Sequence, residues 1–151
     1  MDVTGSANPQ DENFSFVEAE HAILEYWKIS GIFQKSLQQS ADSKPYIFYD
    51  GPPFATGLPH HGHLVGSILK DAVPRYFTMK GHHVSRRFGW DCHGLPIEHE
   101  IDKALGMSSI EAVDKLGIKG YNDECRKIVQ RYTSEWEKTI TRIGRWVDFK
   151  N

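Results

Sequence analysis

The sequence predicts an α/β fold from three observations: a short β-patterned run, a glycine- and proline-rich loop with a long amphipathic pattern behind it, and a second β-patterned run. Tyr46 to Tyr49 (YIFY) is aromatic and β-branched and is bounded by Asp50, Gly51, Pro52 and Pro53, the composition of a buried strand ended by a turn. Behind the loop, Leu64, Ile68, Ala72 and Tyr76 recur every fourth residue beside Val65, Leu69, Val73 and Phe77. That period predicts a helix from His63 with a wide buried face. His82 to Phe88 alternates, imperfectly, His83, Ser85 and Arg87 with Val84, Arg86 and Phe88, and reads as a second strand. Strand, helix, strand with a parallel return is the first half of a Rossmann-like sheet.

Residues 1–13 are polar and rich in Ser, Asn, Asp and Gly, a composition expected to be disordered. Residues 14–45 are expected to hold an N-terminal helix and a linker. Ser15 with Glu18 has capping-box spacing, Val17, Ile23, Leu24 and Trp27 mark one face for packing on the core, and Gly31 marks the end. Lys35 to Lys44 reads as a polar linker. Gly81 is the expected C-terminal cap of the long helix, and Pro74 inside it is expected to kink it or loosen one turn. Gly89 to Pro96 reads as a loop facing the first across a pocket. Ile97, Ile101 and Leu105 give a short helix, and Ser108 with Glu111 caps another that ends at Gly117. After Asn122, Cys125, Val129, Tyr132, Trp136 and Ile140 form one stripe of a longer helix closing at Gly144.

Composition narrows the function classes. The 151 residues, 39% hydrophobic, are enough for one modest core. With 18 Lys+Arg against 20 Asp+Glu, the net charge of −2 gives no basic run to attract nucleic acid by bulk electrostatics. The two cysteines, Cys92 and Cys125, have no CxxC spacing and fit a reducing compartment. The first residues have neither the apolar centre of a secretory signal nor an arginine-rich transit pattern, and no apolar run is long enough to cross a membrane, so a cytoplasmic protein is expected.

The chemistry concentrates in the first loop. His60 and His63 flank Gly62 at the mouth of the expected helix, where free N–H groups and the positive dipole end favour an anion such as phosphate. Gly62 lets a nucleotide approach the backbone closely, and the two imidazoles can donate to phosphate oxygens. The residues alone leave open a second reading, in which both histidines are structural. Six of eight histidines lie between His60 and His93, beside Cys92. Without a Cys pair or i, i+4 His spacing, no zinc is expected. Trp90 and Trp136 sit in apolar patterns and read as core, and Arg86 and Arg87 as a solvated pair.

Taken whole, GPPFATGLPHHGHL resembles the HIGH signature of the class I aminoacyl-tRNA synthetases, and FATGLPH is similar to the isoleucyl-tRNA synthetases of the eukaryotic cytosolic type. RRFGWDCHGLPIEHEIDKALG (Arg86 to Gly106) and TRIGRWVDF (Thr141 to Phe149) resemble the blocks that follow in that family, in its order. His61 departs from the family, which usually has an aromatic or small apolar residue there. The resemblance implies that 46–151 is the first part of the catalytic domain, truncated at its C-terminus, and that the activity is ATP-dependent formation of isoleucyl-adenylate and transfer to tRNA(Ile). It implies ATP with substrate-associated Mg²⁺ and leaves open assembly into a multi-synthetase complex; no membrane partner is expected, since no apolar run is long enough to cross one. By resemblance His60 and His63 are catalytic and bind ATP with Gly62 and Gly51, while Gly51, Pro52 and Asp91 bind the amino acid, Asp91 at its α-ammonium. On its own, Asp91 also reads as a helix cap or loop charge. The family's lysine-rich KMSKS signature, editing domain and anticodon-binding domain are absent from these residues. The chain alone is therefore expected to be inactive. Two alternatives stay open: another nucleotidyltransferase, and a non-catalytic fragment or adaptor that keeps the nucleotide-binding domain.

Overall fold

A computed structural model describes residues 14–54, 56–129 and 132–150, and these form helices joined by extended chain. The helices are α1 (Phe16–Ser30), α2 (Ile32–Gln39), α3 (His61–Met79), α4 (Leu95–Leu105), α5 (Ser109–Val129) and α6 (Thr133–Arg142). The expected half of a Rossmann-like parallel sheet is not formed. Among the described residues there is no strand; extended segments meet only at isolated parallel bridges, Pro45 with His83, Phe54 with Asp91 and Arg87 with Asp148. The reason is local. Tyr46 to Tyr49 pairs only at its start, through Tyr46 N–H to the His83 carbonyl at 2.9 Å and His83 N–H to the Lys44 carbonyl at 3.1 Å. Prolines 45, 52 and 53 remove three of the donors a ladder needs. Ile47 and Tyr49 are 73% and 90% exposed, so this run is not the buried strand its composition suggests.

The chain divides into two compact units. The first comprises Met1–Ile47 and Tyr76–Ser85. Ser15 caps α1 as its spacing predicts, its Oγ accepting the Glu18 N–H at 3.3 Å, and Gly31 ends the helix in the left-handed region. The expected apolar face of α1 is only partly covered: Val17 and Ile23 are exposed, while Leu24 and Trp27 are half-buried. The first half of the expected linker from Lys35 to Lys44 is helix, since α2 continues to Gln39. Tyr46 stacks on Phe77 with ring centroids 3.6 Å apart, and Val84 is fully buried. Residues 1–13 lie outside the described residues.

The second unit comprises Phe48–Arg75 and Arg86–Asn151. Helix α3, whose residues 61–75 lie in this unit, exists where the period placed it, but a different face is buried. Val65, Ile68 and Leu69 are more than half exposed, whereas Ser67 and Pro74 are buried. Polar partners explain this. Asp71 accepts from Arg75 at 2.6 Å and from the Trp146 N–H at 3.0 Å, Arg75 donates to the Gly144 carbonyl, and Arg86 donates to the Pro74 carbonyl at 3.1 Å. Arg86, only 7% exposed, is thus not half of a solvated pair; Arg87 is exposed.

α4 and α5 pack on each other around Ile101, Ala112 and Tyr121. Ser108 and Glu111 form the expected reciprocal cap, the Glu111 carboxylate accepting the Ser108 N–H at 2.9 Å. Gly117, at φ 70° and ψ 162°, breaks α5 where the sequence predicts an end. The expected stripe from Cys125 to Ile140 is divided between α5 and α6, with Trp136 and Ile140 buried.

Candidate active site

The first loop, α3, α6 and the segment after it, with Phe88, line an open cleft of about 360 Å³ within the second unit. Gly51 and Pro52 from the loop, Gly62 and His63 from the start of α3, and Ser67 and Lys70 further along it form one side. Pro53, Phe54, Gly66, Phe88, Trp136 and Arg145 complete the lining. The sequence therefore folds to bring Gly51, Pro52, Gly62 and His63 together. His63, Gly66, Ser67 and Lys70 share one α-helical face because they lie at i, i+3, i+4 and i+7.

The helix mouth is built by its own backbone. The His60 carbonyl accepts the N–H groups of His63 at 2.9 Å and Leu64 at 3.2 Å, while the His60 N–H donates to His63 Nδ1 at 3.2 Å. That last contact makes Nδ1 the acceptor, so the neutral His63 ring carries its proton on Nε2. The two imidazoles stack with centroids 3.6 Å apart and planes 23° apart, and His63 also leans on Trp136 at 4.8 Å. Burial pushes the His63 pKa below the ordinary imidazole range, and the neighbouring His60 and Lys70 act in the same direction. The result is a neutral hydrogen-bond donor. Gly62 serves this stack: a Cβ there would lie 3.1 Å from His60 Cε1, closer than ordinary contact. His60 and His61 are exposed.

Behind the histidines lies a charge cluster. Asp50 pairs with Lys70 at 2.6 Å and with Arg145, and Lys70 also donates to the Gly51 carbonyl at 2.5 Å. Arg145 reaches the Ser67 hydroxyl at 3.5 Å. The Arg145 side chain is only 6% exposed, so its guanidinium needs the Asp50 carboxylate. Sequence reasoning missed all three residues as parts of the site, reading Asp50 only as a turn residue. The helical spacing from His63 to Lys70 was the available signal.

Asp91 stands apart from the lining. Its backbone N–H donates to the Pro53 carbonyl at 2.9 Å, and Phe54 bridges it in parallel, so the second loop is joined to the first. The Cys92 thiol is pushed up by burial and by Asp91, and it stays protonated at neutral pH. Trp136 is core, as expected, and its indole N–H donates to the Gly57 carbonyl at 2.8 Å, holding α6 against the first loop. Trp90 is half-buried against Phe88 and Trp136. Among the described residues, no group of three or more His, Cys, Asp or Glu side chains is placed to hold a metal ion.

The family model for tRNA synthetases class I (I, L, M and V) matches residues 22–151. The isoleucine–tRNA ligase, cytoplasmic, of Arabidopsis thaliana is 56% identical over 142 residues, 94% of this chain and 12% of its own length. The mouse protein of the same name is 56% identical over 140 residues, 93% of this chain and 11% of its own. The isoleucine–tRNA ligase of Chlamydia muridarum is 55% identical over 139 residues, 92% of this chain and 13% of its own. The chain thus spans about an eighth of the length of the relatives it matches.

Proposed function

The chain belongs to the class I tRNA synthetase family, and from that premise we propose that it is the part of an isoleucine–tRNA ligase that binds ATP and isoleucine. The observation that carries this reading is identity above half, over more than nine-tenths of the chain, to proteins named isoleucine–tRNA ligase. The cleft supports it. In the proposed reaction, the isoleucine carboxylate attacks the α-phosphorus of ATP, pyrophosphate leaves, and the adenylate then acylates tRNA(Ile). Catalysis of such a transfer rests on positioning and on stabilising charge at the phosphates.

His63 donates from Nε2 and His60 lies over it, so the pair is assigned to the phosphates, with Gly62 at the same edge. Gly51 and Pro52 form the floor under the aminoacyl group, and Asp91 receives the α-ammonium. Mg²⁺ is assigned to the nucleotide as part of the substrate, where it shares the phosphate charge. The carboxylate beside the cleft, Asp50, is already neutralised by Lys70 and Arg145. The cytoplasm is the proposed location, as the names of the Arabidopsis and mouse relatives state for them. Among the described residues no helix is long and apolar enough to cross a membrane. Assembly with other synthetases remains part of the proposal. A chimera tests it: mouse ligase with its matching segment replaced by this chain should catalyse pyrophosphate–ATP exchange dependent on isoleucine. Exchange driven by another amino acid, or none beside an active mouse parent, would reject the reading.

A further inference from the structure

Lys70 looks at first like a phosphate cation, since it lies on the same helix face as His63. Its geometry says otherwise. The two Cα atoms lie roughly 10 Å apart along the axis, near enough for the Lys70 charge to act on His63, but its hydrogen bonds go elsewhere. The ammonium is turned to the amino-acid floor, 2.6 Å from Asp50 and 2.5 Å from the Gly51 carbonyl. Two of its three donors are thereby used. Asp50 is itself held by the buried Arg145, so the lysine is anchored from behind. At the other end of the same tripeptide, the Pro53 carbonyl accepts the Asp91 N–H at 2.9 Å. The segment Gly51 to Pro53 is therefore fastened at both ends, by Lys70 and by the backbone of Asp91.

We propose that Lys70, backed by Asp50 and Arg145, is a positioning residue for the amino acid: it fixes the Gly51 carbonyl, and so sets the floor at its distance from Asp91. It does not contact the nucleotide's phosphates. This rests on the function proposed above. The test is isoleucine-dependent pyrophosphate–ATP exchange by a complete isoleucine–tRNA ligase carrying this segment, with Lys70→Met and Lys70→Arg. Losing a charge-assisted hydrogen bond that fixes the floor raises the KM for isoleucine by about tenfold or more. The KM for ATP stays within about twofold, and Lys70→Arg recovers most of the loss. A rise confined to the KM for ATP, or no change in either constant, overturns the proposal. If Lys70→Met does not fold, as judged by circular dichroism, Lys70→Gln is read by the same two criteria. Absence of isoleucine-dependent exchange in the unmodified enzyme would instead reject the function itself, so the two failures are separable.

Discussion

His63 is held neutral by burial, by His60 at stacking distance and by Lys70. Because its folded pKa lies below the unfolded value, the unfolded chain binds more protons in the window just below the ordinary imidazole pKa, and stability falls there as pH falls. Proton-detected titration should give His63 a midpoint below that of free histidine, with Nε2 protonated; a midpoint at or above it would contradict the depression by burial, His60 and Lys70. Asp91→Asn, which removes the counter-ion assigned to the ammonium, should weaken isoleucine by about tenfold or more while leaving ATP nearly unchanged. Equal weakening of both ligands in separate titrations would make Asp91 structural. His63 was legible as a residue of the cleft because it sits in a contiguous tetrapeptide, whereas His60 beside it is exposed and outside the lining. Asp50 and Arg145 were not, because an ion pair between residues 95 apart leaves no local pattern.

At the scale of elements, what is decided within one turn was readable and what is decided across the chain was not. The Ser15 and Ser108 caps and the break at Gly117 follow from side-chain chemistry and φ preference a few residues wide. The strands failed because pairing depends on a distant partner, and the face of α3 was misjudged because Asp71 and Arg75 bury polar groups through their own partners. The period identified the helix but not its inward side. Ile101→Ala, in the core between α4 and α5, should cost about 2–5 kcal/mol in chemical denaturation. Gly117→Ala forces a side chain to φ 70° and should cost about 1 kcal/mol or more. An unchanged midpoint for either would show that this pair of helices is not a cooperative part of the fold.

For the molecule as a whole, the 151 residues carry a cleft and its charge cluster but leave Val65, Ile68 and Leu69 open to solvent on α3. The relatives perform their named reaction with chains about eight times the matched length. Purified alone, this chain should therefore bind a hydrophobic dye, hold ATP no more tightly than about millimolar, and show no pyrophosphate exchange. The most direct test of the account uses a complete ligase carrying this segment, with His60 and His63 both changed to Ala. Pyrophosphate–ATP exchange should fall at least about a hundredfold, the scale of losing a donor that stabilises developing charge, while isoleucine binding stays nearly intact. An undiminished exchange rate would contradict the assignment of these histidines to the phosphates, and with it the reading of the cleft.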